Sequence, residues 1–141
     1  MSLEVKFYES VEDELFKIAV IISKSNGKWV YVKHKERNTF EVPGGHREAG
    51  ETILETAHRE LKEETGAIDY KITPVCAYSV IRKEENSETF GMLYFAEVNS
   101  FENELHSEIE FVKLFDEIPE NQTYPLIQPL LVKEAERRNI I

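Results

Sequence analysis

The sequence has only one cysteine, Cys76, so it can form neither an internal disulfide nor a cysteine-rich zinc site. It has no apolar run near the ~20 residues that span a bilayer, and its first residues lack the charged-then-apolar build of a signal peptide. Basic residues are scarce, with 17 Lys and Arg against 27 Asp and Glu. Because contacts to duplex phosphates need clustered basic side chains, we expect no binding to duplex nucleic acid. The single cysteine and the lack of a membrane segment lead us to expect a cytoplasmic protein without a membrane partner.

Residues that interrupt regular structure are also few, with six glycines and five prolines, and no repeat or linker is present. Residues 1–141 are therefore predicted to form a single domain. Residues 16–23 are β-branched and almost continuously apolar, which is typical of a buried strand. Asn26-Gly27 is a strong hairpin signal, and residues 28–34 provide the returning strand.

The remaining segments alternate between strand-like and helix-like patterns, with a loop predicted at Pro43-Gly44-Gly45. Further elements are predicted as an extended segment at 38–42, a helix at 51–65 that ends at Gly66, and strands at 70–81, 88–98 and 109–115. A closing helix is predicted at 125–139. Its inward-facing residues are predicted to be Leu126, Ile127, Leu130, Leu131 and Ala135. This order predicts an α/β sandwich with a mixed sheet.

The helix at 51–65 combines an apolar stripe with a group of acidic residues. At about 100° per residue, a narrow arc of the helix contains Leu54, Ala57 and Leu61, with Ile53 beside them. Glu64 falls inside this arc, Glu60 lies at its edge, and Glu63 lies just beyond. An ionised carboxylate on a core-facing stripe is costly unless it is paired or bound to a metal. The pattern therefore favours a metal site over a solvated acidic face.

A divalent cation would also relieve the repulsion among carboxylates that share one helical turn. Mg²⁺ takes a few carboxylate ligands, keeps some waters and completes its shell with substrate phosphates. The Gly44-Gly45 pair allows close approach of the backbone, so its carbonyls are candidates for a further oxygen ligand. A common Pro-Gly-Gly turn is the alternative interpretation of this segment.

Residues 45–67 resemble the Nudix box, G-x5-E-x7-R-E-U-x-E-E-x-G-U, where U is aliphatic. The matching positions are Gly45, Glu51, Arg59, Glu60, Leu61, Glu63, Glu64, Gly66 and, more weakly, Ala67. The resemblance implies a Nudix-type α/β/α sandwich with a mixed sheet. It also implies hydrolysis of a nucleoside diphosphate linked to another moiety, with Mg²⁺ or Mn²⁺ and with water attacking phosphorus.

The resemblance implies metal ligands at Gly44, Glu60, Glu63 and Glu64. It implies that Glu63 bridges ions or orients water. Arg59 corresponds to the arginine that orients these carboxylates, with Glu51 as its partner.

Many members of the family place a further carboxylate outside the box, ahead of a segment that ends in Asp/Glu-Leu-Pro. Residues 108–119 resemble this layout, with Ile118 in place of leucine. Glu108 is the candidate general base or additional ligand, and Glu110 is its rival. Both residues are alternatively surface acids of a strand.

Residues 33–45 resemble the approach to the box in MutT- and YtkD-like nucleoside triphosphate pyrophosphohydrolases. This implies conversion of a nucleoside triphosphate, such as 8-oxo-dGTP or another purine nucleotide, to monophosphate and pyrophosphate. Lys35 and Arg37 are candidate phosphate contacts, or else solvated loop charges. Asn121 is a candidate reader of the purine edge, or else a turn residue. Candidates for stacking on a base, although strand aromatics more often lie in the core, are Phe40, Tyr78 and Phe90.

Other substrates remain alternatives: the 5′ end of RNA, another nucleoside diphosphate derivative such as ADP-ribose, or no reaction at all in a nucleotide-binding module. A proline of the ADP-ribose subgroup would fall near Arg82 and is absent here. Exposed strand edges or the N-terminal segment, with Val5, Phe7 and Tyr8, are candidates for pairing two chains as a homodimer.

Overall fold

A computed structural model describes residues 2–105 and 108–141. Their strands form one seven-stranded sheet, built from β1 (Leu3–Tyr8), β2 (Phe16–Ser25), β3 (Lys28–His34), β4 (Gly44–His46), β5 (Ala67–Arg82), β6 (Ser87–Phe101) and β7 (Ile109–Phe115). The order is β1-β5-β6-β2-β3-β7, with β4 paired to β2. Strands β2 and β6 run parallel, and the other pairs are antiparallel. The predicted mixed sheet is confirmed.

Two α-helices cover opposite faces of this sheet, α1 (Ile53–Thr65) and α2 (Gln128–Arg137). Helix α1 packs on one face through Ile53, Ala57 and Leu61. Helix α2 packs on the other face through Leu131, Val132 and Ala135. The layers form the predicted α/β/α sandwich. No helix of the described residues is long and apolar enough to cross a membrane.

Strands β2 and β3 separate soon after the turn that joins them, and this separation creates the site. They pair only at Lys24↔Trp29 and Ser25↔Lys28. The space between them is filled by residues 41–46, because Glu41 bridges to Val32 of β3 and β4 pairs with β2.

The predicted loop at Pro43-Gly44-Gly45 is wrong for the two glycines, which belong to β4. A Cβ on Gly44 would lie 2.6 Å from the carbonyl oxygen of Ala19. Glycine at this position therefore permits a close strand contact rather than a turn.

Helix α1 starts at Thr52, where a capping box with Glu55 satisfies the first backbone N–H groups. It ends at Gly66, which adopts a left-handed conformation with φ 74°. The predicted inward position of Leu54 is wrong, because this side chain is 44% exposed. Leu54 shares its angular position with buried Leu61 but lies in the first turn. A projection records angle and not position along the axis.

The closing helix is shorter than the prediction of residues 125–139, since regular hydrogen bonding begins at Gln128. Leu126 and Leu130 are exposed, so their predicted inward positions are wrong. Leu126 precedes the helix. Leu130 lies about 140° from Ala135 on the helical projection, on the solvent side. The predicted burial of Leu131 and Ala135 is confirmed.

The N-terminal segment forms β1, which the sequence pattern did not predict, and pairs with β5 of the same chain. Val5, Phe7 and Tyr8 are therefore engaged within the chain. Homodimer formation stays a prediction.

Gly91 of β6 lies opposite Tyr78 of β5 and leaves room for its ring. A Cβ on Gly91 would lie 2.5 Å from a Tyr78 ring carbon. We expect Gly91→Ala to lower the free energy of unfolding by about 1–3 kcal/mol, because overpacking forces neighbours to shift. Urea denaturation measures this loss. The Gly91→Ala, Tyr78→Leu double variant should lose less than the sum of the single variants; additive losses would contradict the contact.

Candidate functional site

Glu64 is the most deeply placed acidic residue of α1, with 7% of its surface exposed. The Gly44 backbone N–H donates to Glu64 Oε1 at 2.9 Å, and His34 Nε2 lies 3.7 Å from Oε2. Burial raises the pKa of Glu64 to about 8, and the carboxylates of Glu60, Glu41 and Glu108 add to this effect. The sequence prediction that Glu64 faces the core is confirmed.

Glu60 lies one turn before Glu64 and is also largely removed from water. Arg59 Nη1 donates to Glu60 Oε1 at 2.9 Å. The other carboxylate oxygen lies against Gly45, where any Cβ would overlap it. Burial raises the pKa of Glu60 to about 7, although Arg59 opposes this shift. Gly45 is therefore the position that lets the Glu60 carboxylate reach the β4 backbone.

Glu63 faces solvent, with 53% of its side chain exposed, and one carboxylate oxygen lies 3.5 Å from Arg59 Nη1. The three box glutamates therefore differ in environment. Glu64 is buried and Glu60 is partly buried beside the glycine pair, whereas Glu63 is exposed to solvent.

Arg59 forms a two-pronged ion pair with Glu51. Its Nε donates to Glu51 Oε2 at 2.6 Å and its Nη2 donates to Oε1 at 3.0 Å. Nη2 also donates to the His46 carbonyl at 3.0 Å. These bonds, together with the Glu48 N–H, lower the pKa of Glu51 to about 2. The predicted Arg59–Glu51 partnership is present, and it ties α1 to the end of β4.

A pair of side chains that the sequence did not predict for the site, His34 and Glu41, lies beside Glu64. His34 Nε2 lies 3.0 Å from Glu41 Oε1, and Arg37 Nη1 donates to Glu41 Oε2 at 2.9 Å. Glu41 is itself buried. Its position between the apolar Phe40 and Val42 was the one available signal, since a carboxylate in such a segment needs a partner.

One cleft of about 550 Å³, a size that suits a nucleotide, is lined by Glu60, Glu64, His34, Glu41 and Arg37. Its lining does not include Arg59, Glu51 or Glu63. The apolar floor is formed by Ile18, Val20, Tyr78 and Val80, and the polar wall by Gly44, Gly45, Glu60, Glu64, Glu108 and Arg37.

The other sequence candidates lie outside this lining. The Lys35 side chain is exposed, and its backbone N–H donates to the Glu108 carbonyl at 2.9 Å. Asn121 Nδ2 donates to the Asn38 carbonyl at 2.7 Å. Glu110 pairs with Lys33 at 2.6 Å. Of the two candidate carboxylates outside the box, the geometry therefore favours Glu108. The binding roles of Lys35 and Asn121 stay predictions.

The candidate stacking aromatics have different environments. Phe40 packs with Phe115, with ring centroids 5.0 Å apart, and Phe90 packs with Tyr8 at 5.7 Å. Tyr78 alone of the three lines the cleft.

Among the described residues, no three His, Cys, Asp or Glu side chains already converge as a metal site. Glu60 is directed at Arg59 and Glu64 at the Gly44 N–H. The donor chemistry nevertheless fits a hard divalent cation, because the available ligands are oxygens. Burial raises the pKa values of the Glu60 and Glu64 carboxyl groups, and a bound cation would offset their negative charge.

Known proteins are similar to this chain in sequence. The aligned segment is 36% identical over 102 residues to YtkD of Bacillus subtilis, whose name provisionally assigns 8-oxo-dGTP diphosphatase activity; it covers 72% of this chain and 63% of YtkD. It is 30% identical over 99 residues to an ADP-ribose pyrophosphatase of Methanocaldococcus jannaschii, covering 68% of this chain and 58% of that protein. The matched region thus spans less than two thirds of either relative.

Solved structures share the fold. The pyrophosphohydrolase BsRppH of Bacillus subtilis superposes with a TM-score of 0.79 at 28% identity, covering 96% of this chain and 90% of that one. The protein-family model of the NUDIX domain matches residues 15–138, a region that contains the glutamate helix, the glycine pair and the cleft. The chain therefore belongs to the Nudix family.

Proposed function

We propose that this chain hydrolyses a diphosphate linkage in a nucleoside triphosphate, with Mg²⁺, and releases a nucleoside monophosphate and pyrophosphate. The observation that carries this proposal is the pair of buried Glu64 and partly buried Glu60 against Gly44 and Gly45, in the wall of a nucleotide-sized cleft. The similarity to YtkD supports a purine triphosphate such as 8-oxo-dGTP.

The proposed ligands are Glu60, Glu64, the Gly44 carbonyl and Glu63. When bound, the divalent ion polarises phosphoryl oxygens and lowers the pKa of bound water. Arg59 holds the Glu60 carboxylate through a 2.9 Å hydrogen bond, and Glu51 holds Arg59. The contacts that Arg59 and Glu51 make behind the proposed ligands set the orientation of those ligands.

In the reaction, the water oxygen forms a bond to one phosphorus, and the bond from that phosphorus to the bridging oxygen breaks. The water proton passes to a carboxylate, for which Glu108 in the cleft wall is the proposed acceptor. Glu63, which lies on the solvent side of the helix, is proposed to orient the water. Arg37 is proposed to contact the leaving phosphates, and this requires it to exchange its bond to Glu41.

A substrate panel tests this proposal. We expect 8-oxo-dGTP, dGTP, GTP or ATP to yield monophosphate and pyrophosphate with Mg²⁺, as separated by ion-exchange chromatography. Glu64→Gln protein is the control for contaminating phosphatases, because it retains the fold contacts and loses a proposed ligand. Absence of turnover on every triphosphate would contradict the proposal.

Hydrolysis of ADP-ribose is a second candidate, favoured by the similarity to the archaeal ADP-ribose pyrophosphatase. The same cleft and ligands would serve, because only the group beyond the diphosphate differs. Release of AMP and ribose 5-phosphate, with no turnover of triphosphates, would select this function over the first.

A further inference from the structure

The loop between β4 and α1, residues 47–52, has no buried side chain to fix it to the sheet. Residues 48–50 and Thr52 are exposed, and the other two residues are only partly buried. Polar contacts must therefore hold this loop in place. Glu51, the partner of Arg59, belongs to the loop, so the contacts that fix the loop also fix Glu51.

Arg47 makes the contacts that tie the loop to the start of β2. Its backbone N–H donates to the Lys17 carbonyl at 2.8 Å. Its guanidinium reaches three more carbonyls, because Nε donates to that of Glu51 at 2.8 Å, and Nη1 to those of Asp13 at 2.6 Å and Phe16 at 3.4 Å. Nη2 donates to the Asp13 carboxylate. Only 20% of the Arg47 side chain is exposed, so its removal would leave these carbonyls short of donors.

These bonds place Arg47 behind the ion pair of Arg59 and Glu51. Arg47 holds the main chain of Glu51, the Glu51 carboxylate holds Arg59, and Arg59 donates to Glu60. Thr56 Oγ1 also donates to the Glu51 carboxylate at 2.9 Å. Thr56 belongs to α1, however, so its bond cannot fix Glu51 relative to the sheet. That connection is made by the Arg47 guanidinium.

We propose that Arg47 is a positioning residue for the metal site. By bonding the Glu51 carbonyl to the residues at the start of β2, it fixes the Glu51 carboxylate in the place where it orients Arg59. Arg59 in turn orients Glu60, a proposed ligand. The inference rests on the proposed function only in requiring that Glu60 bind a divalent cation. Contacts behind metal ligands typically change affinity or activity by about 10- to 100-fold, and Arg47 acts one contact further back, so we expect the lower end of that range.

Direct binding of Mn²⁺ tests this proposal without relying on turnover. Free Mn²⁺ gives an electron paramagnetic resonance signal that protein-bound Mn²⁺ largely loses, so a titration yields the dissociation constant. We expect Arg47→Met to raise this constant by about 10-fold. Arg47→Lys keeps the charge but cannot reach three carbonyls at once, so it should raise the constant by a smaller factor of about 3.

Arg138→Met is the matched control, because it removes a guanidinium of similar burial at the end of α2, on the opposite face of the sheet. The Arg138 side chain is 17% exposed, and its Nε donates to Glu134 at 2.8 Å. Both variants should be less stable than the unmodified protein, so Mn²⁺ is titrated at a temperature where thermal melts show each to be folded. Arg138→Met should bind Mn²⁺ with unchanged affinity. Unchanged affinity in Arg47→Met as well would reduce Arg47 to a structural role and overturn the proposal.

A double variant shows whether Arg47 acts through Glu51. Glu51→Gln leaves the main-chain carbonyl that Arg47 bonds, but it weakens the ion pair with Arg59. If Arg47 works by placing the Glu51 carboxylate, Arg47→Met should raise the Mn²⁺ dissociation constant little further in the Glu51→Gln background. An equal increase in both backgrounds would mean that Arg47 affects the metal independently of Glu51, and the assignment would be wrong.

Binding and turnover together separate this inference from the proposed reaction. Mn²⁺ binding that Arg47→Met weakens, in a protein that hydrolyses no triphosphate, would keep the Arg47 assignment and discard the proposed function. Hydrolysis of a triphosphate by the unmodified protein, with the same Mn²⁺ affinity and kcat in Arg47→Met, would do the reverse. Absence of both Mn²⁺ binding and turnover in the unmodified protein would overturn both.

Discussion

Glu64→Gln protein is expected to lose metal-dependent turnover and to become more stable in the absence of metal. Glu64 is nine-tenths buried, and burial raises its pKa to about 8. Glutamine keeps an oxygen to accept the Gly44 N–H but carries no charge. Loss of a proposed ligand should lower kcat by about 100-fold or more. Loss of a buried charge should raise the free energy of unfolding by about 1–3 kcal/mol at pH 8.

The gain in free energy of unfolding on Glu64→Gln should depend on pH in a defined direction. The folded-state pKa of Glu64 lies above its ordinary value of 4.5, so folding favours the protonated form. The metal-free protein should therefore be most stable below about pH 4.5, as far as this group is concerned, and should lose that contribution as pH rises toward about 8. Glu64→Gln should flatten this decline. Thermal melts between pH 5 and pH 9 with EDTA measure the difference.

Mg²⁺ should raise the melting temperature of the unmodified protein, because a ligand of the folded state stabilises it. Glu64→Gln should reduce that rise. Glu63→Gln is the matched comparison, since it makes the same change on the solvent side of the helix and should give no metal-free gain. If Glu64→Gln melts lower than the unmodified protein with EDTA at pH 8, the buried-charge explanation is wrong. The effects on activity and stability have opposite signs because the carboxylate proposed to bind the metal is buried and destabilises the metal-free fold.

The positions of the box residues could be predicted because spacing along a helix fixes which side chains share a face. Residues four apart lie one above the other, so Glu60 and Glu64 had to be neighbours. The apolar positions Ile53, Ala57 and Leu61 then fixed the inward side. The inward position predicted for Leu54 was wrong because an angular projection does not show where along the helix axis a residue lies.

The cleft wall opposite the helix could not be predicted in this way. His34 and Glu41 come together with Glu64 because β2 and β3 separate and residues 41–46 fill the space between them. No local pattern encodes that separation, which depends on the parallel pairing of β2 with the distant β6. The burial of Gln128 could not be predicted for a related reason, since it depends on where α2 begins and on a bond to a residue 86 positions away.

Arg59→Lys is expected to reduce kcat by about 10- to 100-fold with a smaller change in KM, the size of effect typical for residues that orient metal ligands. Lysine keeps the charge but cannot make the two-pronged bond to Glu51 while also donating to Glu60 and to the His46 carbonyl. Glu51→Gln weakens the same network from the other end. Steady-state kinetics of each variant with Mg²⁺ measure both effects.

The double variant shows whether the two residues act together. If Arg59 works through the geometry that Glu51 imposes, Arg59→Lys with Glu51→Gln should be little worse than either single variant. Multiplicative losses would mean that each acts on the reaction separately. Because these bonds lower the pKa of Glu51 to about 2, its ion pair contributes above about pH 4.5 and is lost only as pH falls toward 2. The pair should therefore add no inflection to the activity profile between pH 5 and pH 9, and an acidic inflection removed by Glu51→Gln would contradict this arrangement.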